Sequence, residues 1–153
     1  MQAFRLLAER RPDVELFLIG PPSIPEYSLP RGVHFLGDLP VHELNEYFNL
    51  CDVFCLPSRF EAYGLVFIEA LSFGLPCIGR AAYAMPEFIE HGTTGFLMDS
   101  DDPSELVEYM LRVLEDHSFA DTVRQRRDYY LNEYSWTAVA DRVARVIDKR
   151  MGS

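Results

Sequence analysis

The chain has 153 residues, 48% of them hydrophobic and 25% charged, with a formal net charge of −10. That length supports one domain with a real core, and the balance excludes a disordered chain. The negative charge argues against a nucleic-acid or anionic-membrane surface on this domain.

Single residue types narrow the field further. Thirteen of the 14 basic residues are arginine and Lys149 is the one lysine, so a phosphate loop of the Walker type is excluded. Cys51, Cys55 and Cys77 are odd in number and form no C-x-x-C, and no signal peptide is expected. Free thiols in a reducing, cytoplasmic compartment are expected. The four histidines are scattered and none forms H-E-x-x-H, so neither a metal nor another cofactor is expected. The longest uncharged run, Ala70 to Gly79, is too short to span a bilayer.

In chain order, Gln2 to Arg11 reads as a helix with Phe4, Leu7 and Ala8 on one face, ended by Pro12 and Asp13. Val14 to Ile19 is an apolar run suited to a buried parallel strand. Gly20 opens a loop with Pro21, Pro22, Pro25 and Pro30, read as a rigid shortened connection. Val33 to Leu36 is a second strand ending at Gly37, and Val41 to Leu50 a helix with Leu44, Tyr47, Phe48 and Cys51 at core spacing. Asp52 to Leu56 is a third strand, Cys77 to Gly79 a fourth, and Phe96 to Met98 a last one after the turn Gly92 to Gly95. Between the last two, Pro86 to His91 is a short helix with proline in its first turn.

Three helices close the chain. The first is capped by Asp102-Pro103 with Glu105; the second by Ser118, running to about Asn132. Ser135 caps the third, whose Trp136, Val139, Ala140, Val143, Val146 and Ile147 share one face. Arg124, Arg126 and Arg127 read as a solvated face. Strands alternating with helices mean an α/β domain: a parallel sheet with helices on both faces, whose ligands bind beyond the carboxyl ends of the strands.

The stretch from Leu56 to Arg80 carries the chemistry. A polar loop runs from Pro57 to Tyr63, and an apolar helix runs from Gly64 through Phe73, with Gly74 past its end and Pro76 forbidding continuation. Glu61 lies in the loop, and Glu69 is the only charge between Leu65 and Phe73. On a helical wheel Leu65, Glu69 and Ser72 share one narrow face. Glu69 therefore either marks a solvent stripe or is aimed at a ligand. Gly64 admits close approach to first-turn amides at the positive end of the helix dipole, where a phosphate fits. Glu69 could then hold a hydroxyl of an attached sugar.

Pro57, Ser58, Glu61, Tyr63, Gly64, Leu65, Glu69, Ala70, Gly74 and Pro76, in this register, resemble the donor-site signature of the retaining glycosyltransferases of group 1 (family 4). The resemblance extends to Val33–Gly37, Cys51-Asp52-Val53, Pro86-Glu87, Gly92–Leu97 and Ser135-Trp136, almost the whole chain. It implies the Rossmann-like C-terminal, nucleotide-sugar-binding half of a two-domain GT-B enzyme. Residues 1–153 would be that domain, without the N-terminal acceptor-binding domain, without the first strand of the sheet, and without the Arg/Lys pair that holds the diphosphate. An open sheet edge and self-association are then expected.

The resemblance also implies roles. The partner would be a UDP-, GDP- or ADP-sugar. Backbone amides around Tyr63, Gly64 and Leu65 would face its distal phosphate, with Ser58 and Ala62 beside them. Glu69 would bind the ribose hydroxyls, and Glu61, the candidate catalytic residue, a hydroxyl of the transferred sugar. The edge of the strand from Val33 to Gly37 would line the base; for its side chains a plain core strand is the other reading. Membrane contact, if any, would come from outside this domain.

Some positions stay open. Arg59 and Arg80 are either phosphate neighbours or, the preferred reading, surface arginines. Glu87 matches the family, yet helix-dipole stabilisation explains it as well. Ala82-Tyr83-Ala84 replaces the glycine pair that members often carry, and Ala62 stands where glycine is more usual. The alternative to a transferase domain is a non-catalytic nucleotide-sugar-binding or assembly module of the same fold. A GT-B epimerase or phosphorylase is a third possibility.

Overall fold

A computed structural model of the chain describes residues 1–20 and 29–151. Pro21, Pro22 and Pro25 of the proline-containing loop lie outside the described residues. Among the described residues five strands and eight helices follow in the order α1(Gln2–Arg10), β1(Leu16–Ile19), β2(Val33–Gly37), α2(Val41–Leu50), β3(Phe54–Cys55), α3(Leu65–Ser72), β4(Cys77–Arg80), α4(Met85–Phe88), β5(Gly95–Met98), α5(Pro103–Glu115), α6(Ser118–Gln125), α7(Arg127–Glu133) and α8(Trp136–Met151). Among the described residues the strands form two parallel sheets, β1-β2 and β3-β4-β5.

Two apolar clusters cover the sheets, one on each face. Cys77 and Leu97 point into the cluster made with Phe48, Phe67, Leu71 and Phe88. Ile78, Phe96 and Met98 point into the other, made with Phe4, Leu7, Val107 and Leu111. This alternation is the two-residue period of a strand buried on both sides, and it explains why these strands read as continuous apolar runs. Burial pushes the Cys55 thiol up to about 12 and the Cys77 thiol well above its usual range, which disfavours the reactive thiolate at both.

The element boundaries differ from the sequence reading in instructive places. β3 is only Phe54–Cys55, shorter than Asp52–Leu56, because β4 offers it just two paired positions. α4 stops at Phe88; the backbone is extended at Ile89, and His91 Nδ1 then accepts the Leu97 amide at 3.1 Å. The Ser118 helix is broken in two at Arg126. Its N-cap is His117, while the Asp116 carboxylate accepts the Ser118 amide at 3.0 Å. Asp102 does cap α5, accepting the Ser104 amide at 2.9 Å. Glu105 reaches past the cap to the amides of Asp99 and Ser100, at 3.3 and 3.2 Å. Ser135 caps α8 through the Ala138 amide at 3.1 Å.

The largest departure is α8 itself. Its apolar face is not core: Trp136 is 89% exposed and Val143, Val146 and Ile147 are about half exposed. Nothing among the described residues packs over it, so amphipathic spacing alone did not decide burial. No described helix is long and apolar enough to cross a membrane.

β4 and β5 meet where backbone touches backbone. Gly95 has φ +151°, and a Cβ there would sit 1.8 Å from the Cys77 carbonyl oxygen. Gly95→Ala must push β5 off β4. We expect a loss beyond about 3 kcal/mol, measured by urea denaturation; a loss under about 1 kcal/mol would show that the strands separate freely.

Candidate active site

The site forms on the loops that leave β3, β4 and β5. Leu56 donates to the Ile78 carbonyl at 3.0 Å, the last ladder bond before the chain turns out into the loop. Pro57 and Ser58 are half-buried, Arg59 and Phe60 exposed, Glu61 half-buried, and Ala62 and Tyr63 exposed. The Tyr63 ring stands edge-on to Phe88 at 5.1 Å, which ties the loop to α4.

Gly64 then turns the chain into α3. It is buried and left-handed, φ +79°, at the N-cap position. A Cβ there would lie 2.9 Å from Phe67 Cδ2 and 3.3 Å from Glu61 Cγ. No side chain fits, and the same contact shows that Glu61 lies against the helix start. The Leu65 and Val66 amides have no partner a turn earlier in the helix and point outward at its positive end.

α3 buries Phe67, Ile68, Ala70, Leu71 and Ser72 while Leu65 and Glu69 are exposed. Ser72 departs from the wheel reading: it is buried, its Oγ donating to the Ile68 carbonyl at 2.7 Å. The helix ends with Gly74 donating to Leu71 and Leu75 to Ala70, both at 3.0 Å. This Schellman end anchors α3 in the core, so its first turn and Glu69 are held on a rigid element.

Two further loops close around the first. Tyr83 has φ +55°, the one non-glycine residue in the left-handed region among the described residues. Its hydroxyl donates to the Arg59 carbonyl at 3.3 Å, and its ring stands edge-on to Phe60 at 5.7 Å. Arg59 Nη2 lies 2.9 Å from Asp101 Oδ2, and Arg80 binds the same carboxylate. Arg80 also donates to the Ser100 carbonyl at 3.5 Å. Hydrogen bonding to Arg80, with the nearby charge of Arg59, holds the Asp101 carboxyl below the usual carboxylate range.

Arg59 fits the surface reading, its side chain 80% exposed. Arg80 does not: its side chain is 17% exposed, and its Nε is buried without a hydrogen-bond partner. Asp99, Asp101, Asp102 and Glu105 outnumber the two arginines locally, so this cluster is a poor independent anion site.

The structure thus brings Ser58, Glu61, Ala62, Tyr63, Gly64 and Leu65 into one loop and helix start, with Glu69 one turn beyond Leu65 on the same exposed side. Gly37 stands apart. It ends β2 in the other sheet, where its carbonyl accepts the Gly20 amide at 2.8 Å. Asp101 and Phe60 were not singled out from sequence, because neither belongs to a motif. The signal that could have found Asp101 is an acidic run directly after a strand whose neighbour ends in Arg80.

The family model described as glycosyl transferases group 1 matches residues 1–136. The sulfoquinovosyl transferase of Arabidopsis thaliana is 29% identical over 134 residues, 86% of this chain and 24% of that protein. The D-inositol 3-phosphate glycosyltransferase of Corynebacterium urealyticum is 27% identical over 155 residues, covering 92% of this chain and 37% of that one. The chain therefore spans between about a quarter and two fifths of the length of these relatives. The crystal structure of Anabaena HepE in complex with UDP superposes with a TM-score of 0.80 at 22% identity, over 96% of this chain and 44% of that one. That likeness shows a shared fold.

Two outcomes follow from the loop geometry. Tyr83→Gly and Tyr83→Ala lose the same ring contacts, but only glycine relieves the left-handed backbone; Tyr83→Gly should be the more stable by about 1 kcal/mol in thermal unfolding. In an NMR titration, Arg80→Ala should raise the Asp101 pKa more than Arg59→Ala does. Because the folded pKa is depressed, the stability Asp101 contributes is complete above the ordinary carboxylate range and fades as pH falls below it.

Proposed function

This chain belongs to the group 1 glycosyl transferases, and we infer that residues 1–153 are the nucleotide-sugar-binding domain of a retaining, cytoplasmic hexosyltransferase. An N-terminal domain outside these residues would bind the acceptor hydroxyl. The observation that carries this reading is the left-handed Gly64 at the start of α3, with Glu61 packed against it and Glu69 exposed on the following turns.

In this reading the distal phosphate of a nucleoside diphosphate sugar lies against the Leu65 and Val66 amides. Tyr63 and Gly64 shape that turn, with Ser58 and Ala62 beside it. The helix dipole and the unpartnered amides stabilise the charge that develops on the leaving diphosphate. Glu69 accepts hydrogen bonds from the ribose hydroxyls. Glu61, lying against Gly64 at the helix start, accepts from a hydroxyl of the transferred sugar and orients it for attack. Gly37 lets the edge of β2 line the base. The bond between the sugar's anomeric carbon and the diphosphate oxygen breaks, the acceptor oxygen bonds to that carbon on the same face, and the acceptor's proton passes to the departing phosphate oxygen. The UDP bound by HepE and the glycosyl transfer named for the matched relatives support a nucleotide-sugar partner. A domain that binds without transfer is the second reading, favoured by Tyr83, whose exposed ring stands where family members often have glycine.

Thermal-shift titrations with UDP, GDP and ADP test this. One nucleotide should raise the melting temperature, and Glu69→Ala should weaken it by about 10- to 100-fold, the value of hydrogen bonds to a charged group. Glu61→Gln should leave nucleotide affinity intact and abolish the added effect of the sugar. Equal nucleotide affinity in wild type and Glu69→Ala would sink the ribose role.

A further inference from the structure

Two aromatic rings stand in solvent beside the candidate site. Phe60 is 78% exposed and Tyr83 54% exposed. They come from different loops, after β3 and after β4, and meet edge-on with centroids 5.7 Å apart. Both loops hold them in place. The Tyr83 hydroxyl donates to the Arg59 carbonyl, and the Tyr83 backbone keeps a left-handed conformation that a bulky residue adopts only under strain. Arg59, the residue before Phe60, is bound to Asp101. Single exposed apolar side chains are ordinary, but two rings from separate loops fixed against each other form a surface. Both stay more than half exposed, so core packing does not account for the pair.

The neighbours of the pair decide what chemistry it suits. Arg59 and Arg80 already share the Asp101 carboxylate, and the local balance with Asp99, Asp102 and Glu105 is negative, which disfavours an anionic group. Phe60 directly precedes Glu61, whose side chain lies against Gly64 at the start of α3. A carboxylate beside an aromatic face is the pairing that a sugar ring requires. Its hydroxyls lie around the rim and donate to the carboxylate. Its C–H bonds lie on the face and carry a small positive charge, while the face of an aromatic ring is negative. The edge-on contact leaves no gap between Phe60 and Tyr83, so such a ligand lies against their outer surface.

We propose that Phe60 and Tyr83 determine which sugar the site accepts, by stacking on the C–H face of an uncharged hexose whose hydroxyl Glu61 holds. This deepens the nucleotide-sugar reading and rests on it. The pair acts on the transferred sugar alone and leaves affinity for the nucleoside diphosphate to Glu69 and the helix start. A sugar that carries a carboxylate is rejected, because it meets the negative balance around Asp101 and two arginines that are already paired.

Calorimetric titration of the 153-residue chain tests this. UDP-glucose, UDP-N-acetylglucosamine, GDP-mannose and ADP-glucose are each compared with the bare diphosphate and with the uronate of the same nucleotide. At least one uncharged sugar should make its nucleotide bind more tightly, and its uronate should not. Phe60→Ala and Tyr83→Gly should leave affinity for the bare diphosphate within about twofold and cut the affinity added by the sugar about two- to tenfold, the worth of an aromatic contact. Phe60→Tyr should keep that added affinity; Phe60→Leu, apolar but not aromatic, should lose it. In NMR spectra of the bound sugar, protons on the stacked face should move upfield with wild type and not with Phe60→Ala. Diphosphate binding to which no uncharged sugar adds affinity overturns the proposal and leaves the functional reading standing. So does added affinity indifferent to both Phe60→Ala and Tyr83→Gly, or a uronate bound as tightly as its hexose. Absence of binding by every diphosphate sinks the functional reading and the proposal together.

Discussion

Burial of β4 on both faces is the constraint from which the rest of the structure follows. Cys77 and Ile78 are fully buried, each in a different apolar cluster. That arrangement forces helices onto both sides of the sheet and leaves no room for a side chain where β5 crosses at Gly95. It also decides where chemistry can occur. A strand sealed on both faces and paired on both edges meets solvent only at its ends. Arg80, at the carboxyl end of β4, is the first residue to emerge, and it emerges against Asp101.

The loops after β3, β4 and β5 are consequently one unit. Asp101 joins Arg59 to Arg80, and Tyr83 joins Arg59 through its hydroxyl and Phe60 through its ring. These contacts are exposed and individually modest. Their effect is geometric: they hold the segment ahead of Gly64 against the turn after β4. Tyr83 keeps a backbone conformation that glycine adopts without strain.

The surfaces that the described residues leave bare are as specific as those they bury. The cavity of about 640 Å³ between β1 and β3 has apolar walls that include Phe4, Leu7, Phe48 and Val66, and α8 presents Trp136, Val143, Val146 and Ile147 to solvent. Apolar periodicity in a sequence says that a face wants cover, not what supplies it.

Much of this was legible in the sequence, for local reasons. Proline and glycine punctuation bounded α1 and α3, short continuous apolar runs marked the parallel strands, and Asp102 and Ser135 announced their helices, because each effect acts within a few residues. The register from Pro57 to Pro76 pointed to the donor-site signature before any contact was known. Only the tertiary structure decided the rest. It split the Ser118 helix at Arg126, shortened β3 to the positions β4 could pair, buried Ser72 and exposed the face of α8. It placed Arg80 and Asp101 together from 21 residues apart, a distance over which no sequence period acts. Chain order fixes which residues can be neighbours along an element. Which elements close over them depends on packing between segments far apart in sequence.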